Sequence, residues 1–315
     1  MKKIIWTCDT EIGELGNVIE NAYDIFVLGK VRGKEVGIHY INEIAHKYGA
    51  TIHHFIDVYQ PKYSRQIIDA CERIIADGHS IGLHTHPSLM YGKRYMYEYS
   101  LSEQQKIIEY GQNFFEKHLG YLPNSHRAGG YGADENTIFA LESAGIKIDS
   151  SYYHNNGYCH LPQMSVNSIQ QCCGTNVLEM PVSVFGIRKT LWGIPAWKNV
   201  MWQKLDFRYG ASVKDILNVI DSAQDQSVFV LFLHSFNFLH TIYNFNKGKF
   251  CDISVANSLV EDYEYLLSEI YKREDCIFSK LDDCAEEVIG NQYIVNRSFS
   301  FLSAISGRFQ RTSFV

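Results

Sequence analysis

The sequence predicts an α/β fold in which a largely parallel sheet curls into a single barrel. Short apolar runs alternate with longer amphipathic segments from end to end, the pattern of strands joined by crossover helices. The run Val228 to Leu233 is continuously apolar, as a strand covered on both faces must be. Ionisable residues also collect at one end of successive runs. Asp9 and Glu11, His84 and His86, Arg127, Asp149 and His234 each stand at or just past the C-terminal end of an apolar run, the edge on which parallel barrels build their sites.

The elements follow in order. Lys3 to Cys8 reads as the first strand and Thr51 to Val58 as the second, after a helix near Val36 to Tyr48. Ile67, Ile68, Cys71, Ile74 and Ile75 recur at helical spacing, which predicts a helix over 63–77 that ends at Asp77-Gly78. Ser80 to His84 is a third strand. Ser102 to His118 is a helix with Ser102 as its cap and Ile107, Ile108, Phe114 and Phe115 as its buried stripe. A short strand then enters His126-Arg127, followed by a glycine-rich turn, a helix from Asp134 to Ala144 and a strand at Ile146 to Asp149. Region 150–176 has no clean period and reads as an irregular excursion. Val177 to Val184 resumes as a strand, Ser212 to Ala223 as a helix, Val228 to Leu233 as the buried strand, Ser254 to Lys272 as a helix and Cys276 to Ser279 as a last strand. With no repeat or linker in between, residues 1–290 are expected to form one domain, with 291–315 as a C-terminal extension.

Composition narrows the function. The chain has 315 residues and a net charge of −6, without the basic stripe of a nucleic-acid or anionic-membrane binder. Lys2 and Lys3 precede an apolar Ile4-Ile5-Trp6, but Asp9 and Glu11 follow too soon for a signal peptide. No run of about 18 apolar residues offers a membrane span. The eight cysteines lack paired CxxC spacing and suit reduced thiols, so a cytoplasmic location is expected.

The chemistry lies in Gly82-Leu83-His84-Thr85-His86-Pro87 and Thr7-Cys8-Asp9-Thr10-Glu11. In a strand, side chains at i and i+2 project from one face roughly 6.5–7 Å apart, so the two imidazoles can converge on one ion. One carboxylate and two neutral imidazoles leave coordination positions open for water and substrate. Glu11, His84 and His86 are therefore assigned to a divalent metal, Asp9 to the general base and His234 to the general acid. Asp9 and Glu11 could exchange roles, since both stand at the strand end.

These residues resemble the polysaccharide deacetylases of the NodB-homology class, carbohydrate esterase family 4. The parts come in the same order: Asp9-Thr10-Glu11; Gly78 to Pro87; Arg127-Ala128-Gly129-Gly130-Tyr131; Asp149-Ser150-Ser151-Tyr152; and Leu233-His234. The resemblance spans roughly residues 3–285. The pattern differs from the usual one in Asp-x-Glu for adjacent aspartates, His-x-His-Pro for His-x-x-x-His, and glycines for a proline after Arg127. In this it is similar to divergent members of surface-polysaccharide biosynthesis. The resemblance implies a distorted (β/α)7 barrel and metal-dependent removal of an acetyl group from an N-acetylated sugar or glycan precursor. The metal would be zinc, with cobalt, nickel or manganese as alternatives. It further implies that Arg127 orients Asp9, that Asp149 supports the acid side, and that Tyr131 lends a backbone N–H near the oxyanion. Trp192, Trp197 and Trp202 form a possible sugar platform, and Asn237 is a candidate substrate contact. Two other readings stay open: hydrolysis of another amide C–N bond on the same metal site, and an inactive barrel that binds a glycan.

Overall fold

The computed structural model describes residues 1–13, 18–191, 194–195, 200–284 and 294–298. Its centre is a nine-stranded sheet dominated by seven strands that run parallel to one another. These are β1 (Lys2–Thr10), β2 (Ile52–Asp57), β3 (Ser80–Thr85), β4 (Ser125–Ala128), β5 (Ile148–Asp149), β6 (Leu178–Glu179) and β7 (Val228–His234). Their spatial order is β7-β1-β2-β3-β4-β5-β6. Gln170–Gln171 adds antiparallel to β6, and Cys276–Phe278 adds parallel to the start of β1. The sheet curls until the chain just past β6 returns to β7. There the Ser183 N–H donates to the Val230 carbonyl at 3.0 Å, and the Val230 N–H donates to Ser183 Oγ at 2.9 Å. One of these two closing bonds uses a side chain, so the barrel closes irregularly. The α/β distorted (β/α)7 barrel expected from the sequence is the fold.

Helices α1 (Ile38–Lys47), α2 (Ser64–Ala76), α3 (Leu101–Leu119), α4 (Glu135–Ser143) and α5 (Val213–Ser222) connect the strands, and α6 (Asn257–Tyr271) follows β7. Each lays an apolar stripe on the sheet, as in α2, where Ile67, Ile68, Cys71 and Ile74 are buried. Ile75, expected in that stripe, turns to solvent at 44% exposure. The cap of α3 is Ser100, not Ser102: Ser100 and Glu103 form a reciprocal capping box, and the helix stops at Gly120 in the left-handed region, φ 60°. Helix α6 begins three residues later than expected because Ser254 belongs to a hairpin, Leu239–Asn244 with Lys249–Val255, which lacks a clean sequence period. The proposed domain boundary at 290 lies outside the described residues.

Strand alternation divides the core into two. Ile4, Trp6 and Cys8 of β1 face outward into the large cluster beneath the helices. Ile5 faces inward, where Phe55, Ile148, Met180, Val228 and Val230 fill the lower barrel, with Leu281 and Cys284 in the same cluster. Polar groups share this inner face, and on β2 they flank Phe55, with His53 two residues before it and Asp57 two after. His53 bonds Ser80 Oγ at 2.8 Å and Ser125 Oγ at 2.7 Å. The wall is tight here, because a Cβ at Gly82 would stand 2.3 Å from Ser125 Oγ and 2.8 Å from His53 Nε2.

Two outcomes follow. Gly82→Ala is expected to destabilise the protein by about 1–3 kcal/mol, the usual range for overpacking; an unchanged urea midpoint would contradict the tight wall. Burial, helped by the Arg127 charge, pushes His53 down to about 3. Below an unfolded-state value near 6.5 the unfolded chain therefore takes up a proton that the folded one refuses, and stability falls as pH drops toward 3. His53→Asn should reduce that slope by about one proton, or about 1.4 kcal/mol per pH unit, measured by urea melts between pH 4 and 6.5.

Candidate active site

The inward positions of β1, β3 and β4 bring the sequence-assigned residues to one end of the barrel. Asp9 and Glu11 extend the inner row of β1 that begins with Ile5 and Thr7, and His84 lies on the inner face of β3. Asp9 pairs in register with His234 of β7, and His84 with Arg127 of β4. Beyond the strand ends, the Ser235 N–H donates to the Asp9 carbonyl at 2.9 Å, and Ser235 Oγ donates to the Glu11 carbonyl at 2.9 Å. These bonds hold the Glu11 backbone in line although β1 has ended.

Arg127 is fully buried. Its Nη1 donates to Asp9 Oδ1 at 2.7 Å, Nη2 to Thr7 Oγ1 at 3.1 Å and Ser150 Oγ at 2.8 Å, and Nε to the Ser150 carbonyl at 3.0 Å. The guanidinium carbon lies 4.3 Å from the Phe55 ring centroid and 5.4 Å from that of Phe232. The Arg127 carbonyl accepts from His84 Nδ1 at 2.8 Å, so the His84 Nε2 lone pair faces the opposite way, toward the carboxylates. His84 Nε2 stands 3.5 Å and His86 Nε2 2.5 Å from the same oxygen, Glu11 Oε2. Ligand atoms of Glu11, His84 and His86 all lie within 4.8 Å of one another. His234 Nε2 faces Glu11 Oε1 at 3.9 Å.

Electrostatics follow the geometry. Burial pushes the Asp9 carboxyl up, but the charges of Arg127, His84 and His234 outweigh it and hold Asp9 below the ordinary carboxylate value. Burial likewise opposes ionisation of Glu11, and His86 and His84 reverse it, leaving Glu11 well below its usual value. Burial would lower His86, yet the Glu11 carboxylate lifts it to about 9. The cluster thus gathers positive charge between Glu11 and His86, where a metal cation would serve equally. His234 is pushed down to about 4, chiefly by burial.

A cavity of about 340 Å³ opens over these groups, lined by Asp9, Glu11, His84, His86, Tyr131 and His234 among others. Tyr131 adopts φ 62° at the end of the Gly129–Tyr131 turn. The glycines of that turn have a steric reason, since a Cβ at Gly129 would sit 2.6 Å from the His86 ring. Two other assigned residues lie elsewhere. Asp149 points to the outer face of the wall, where its Oδ1 accepts from His126 Nδ1 at 2.8 Å and Ser151 Oγ at 2.7 Å. The inner neighbour of Arg127 is Ser150, one residue on, because strand side chains alternate. Asn237 is fully buried and does not line the cavity; its N–H donates to the His234 carbonyl at 2.9 Å. Trp192 and Trp197 lie outside the described residues, and Trp202 packs edge-on against His154 at 5.0 Å.

The structure adds residues that sequence reasoning passed over. Asp57 ends β2 on the inner face, in register with His84, and the strand-end pattern already used for the others would have found it. Lys204, Arg208 and Tyr209 line the cavity from a segment without strand-end punctuation. Thr241 and Phe250 reach it from the hairpin after β7.

No family model matches the chain, and no curated protein matches it. Among solved structures, a candidate polysaccharide deacetylase from Mycobacterium smegmatis is 15% identical, with 95% of each chain covered and a TM-score of 0.60. The 4-alpha-glucanotransferase of Thermococcus litoralis is 11% identical over 93% of this chain and 41% of its own, with a TM-score of 0.54. The chitin deacetylase of Colletotrichum lindemuthianum is 12% identical over 92% of this chain and 90% of its own, with a TM-score of 0.46. The barrel described above is thus shared, nearly end to end, with the Mycobacterium smegmatis structure.

Proposed function

We propose that the protein is a metal-dependent hydrolase that removes an acetyl group from an N-acetylated sugar or glycan precursor. The observation that carries this reading is the convergence of Glu11, His84 and His86 beside an Asp9 held ionised by Arg127. The fold shared with the Mycobacterium smegmatis structure supports the substrate class. Glu11 Oε2 and the two Nε2 atoms would hold the metal, and the His84 Nδ1 bond to a backbone carbonyl fixes the tautomer a ligand needs. Bound there, a divalent cation, of which zinc is the first choice, would polarise the acetyl carbonyl and acidify water.

The protein's own groups supply the remaining chemistry. Asp9 Oδ1 is committed to Arg127, which leaves Oδ2, on the His84 side at 3.7 Å from His84 Nε2, to accept the proton of the attacking water. His234, neutral at rest, takes up a proton within the cycle and delivers it to the departing amine nitrogen. Tyr131 borders the cavity where its N–H would meet the carbonyl oxygen as that oxygen gains charge. Asp149 acts at one remove, through His126 in the wall. The substrate we favour is a nucleotide-linked, lipid-linked or soluble precursor handled in the cytoplasm, a setting that suits eight free thiols. No described helix is long and apolar enough to cross a membrane.

Purified protein is expected to bind about one divalent metal per chain and to release acetate, rather than ammonia or formate, from N-acetylated sugars. His86→Ala should lose both metal and turnover; full metal occupancy in that variant, by elemental analysis, would remove His86 from the ligand set. Asp9→Asn should keep the metal and lose about 10²–10⁴-fold in kcat, the usual scale of general-base catalysis; loss of the metal would instead make Asp9 a ligand. Gly129→Ala, by crowding the His86 ring, should weaken metal binding about tenfold or more, comparable to losing an outer-shell partner, as read in a chelator competition.

A further inference from the structure

We propose that the sugar taken by this cavity carries an anionic substituent, a carboxylate or a phosphate, which is received by Lys204 and Arg208. The inference rests on the deacetylase reading and narrows its substrate. On the wall formed by β1 and β3, both acids are already committed, Asp9 to Arg127 and Glu11 to the two imidazoles. The facing wall, residues 204–209, is cationic. Lys204 is only 7% exposed, and its ammonium lies 3.4 Å from the Phe232 ring centroid, donates to Tyr131 Oη at 2.9 Å and meets Asp206 Oδ2 at 3.3 Å. Tyr131 and Asp206 take two of its three donors and the Phe232 face lies against the third, so the ammonium is held in place and acts on a ligand through its charge. Arg208 Nη1 donates to the carbonyls of Phe236 and Asn237, and Nη2 to that of Leu239 at 2.7 Å. These bonds fix the guanidinium without neutralising it, and among the described residues no carboxylate lies within ion-pair distance of it.

The one carboxylate of this wall, Asp206, therefore pairs with Lys204 alone and leaves the Arg208 guanidinium uncompensated. Asp206 Oδ1 accepts only the backbone N–H of Arg208, at 2.9 Å, so the wall keeps one net positive charge beside the cavity. Burying an ammonium costs several kcal/mol, and a buried ion pair is on average no more stable than an apolar pair of the same size. Lys204 is thus a poor choice for holding the barrel together and a good one for meeting charge. Neutral sugar hydroxyls are satisfied by neutral donors. An anion in a site that excludes water gains far more from two fixed cations.

The test compares acetate release by the metal-loaded protein from N-acetylglucosamine, its 6-phosphate and 2-acetamido-2-deoxyglucuronic acid. Expected is a kcat/KM at least tenfold higher for one of the two anionic sugars, and which one identifies the substituent. Lys204→Met should shrink that ratio below about threefold, whereas Lys204→Arg, which keeps the charge, should preserve most of it. Calorimetric titration with the matching amino sugars, the reaction products, reads the same preference without turnover. Equal turnover of neutral and anionic sugars would overturn the anion proposal and leave the deacetylase reading standing. A preference that survives Lys204→Met would assign it to the metal and overturn the proposal too, as would an equal loss on all three substrates. Absence of acetate from every sugar, with anionic products still bound at least tenfold more tightly, would instead sink the deacetylase reading and keep the anion site.

Discussion

The site depends on one buried guanidinium. Arg127 joins Thr7 and Asp9 of β1 to Ser150 beyond β5, and its backbone carbonyl orients His84 of β3. One residue therefore sets both the ionisation of Asp9, the proposed base, and the tautomer of His84, a proposed metal ligand. Desolvating such a cation costs several kcal/mol. Charge-assisted hydrogen bonds and the two flanking aromatic faces, Phe55 and Phe232, offset it. The arrangement holds only because the partners approach from different strands at the same height. This is a consequence of the parallel register, in which His84 lies beside Arg127 and Asp9 beside His234.

A period of two governs the rest. Because Thr7, Asp9 and Glu11 share a face, the rise of the strand carries the chain from the Arg127 anchor to the proposed base and then to the proposed metal-ligand position. Thr10, between the last two, points the other way and bonds His54 Nδ1 on the helical side at 2.9 Å. The same rule separates two histidines that are adjacent in sequence. His53 belongs to the inner polar layer with Ser80 and Ser125, while His54 is held outside by Asn42 and Thr10. A one-residue slip in register would exchange these populations and empty the site.

Much of this was legible in the sequence, for stated physical reasons. Strands covered on both faces leave continuous apolar runs, and polar residues stand out sharply where such a run ends, which is why Asp9, Glu11, His84, His86, Arg127 and His234 could be read together. Asp149 met the same criterion and faces outward, because alternation decides the face and a two-residue strand gives no pattern from which to judge it. Lys204 and Arg208 were illegible for a different reason. Their segment reaches the cavity through tertiary packing on Phe232 and through backbone carbonyls after β7, and nothing local in Met201 to Tyr209 announces that destination. The cap of α3 shows the same limit on a smaller scale, since Ser100 has Glu103 and Ser102 has Gln105 three residues on, both fitting a capping box, and the one that forms is Ser100 with Glu103.

The division of the barrel interior explains how a polar site and a stable fold coexist. The lower interior is sealed by apolar residues from four strands, with Met180 just past β6 and Leu281 and Cys284 from beyond β7 added to them. The upper interior holds buried charge and imidazole, which contribute little stability of their own. The larger apolar cluster lies outside the sheet, beneath the helices, so the hydrophobic contribution to folding is made mostly where the site is not. Substitutions in the upper layer can then alter chemistry while the helical layer keeps the strands in register. The close approaches at Gly82 and Gly129 mark where this independence ends, because there a single added methyl group presses directly on His53 or His86.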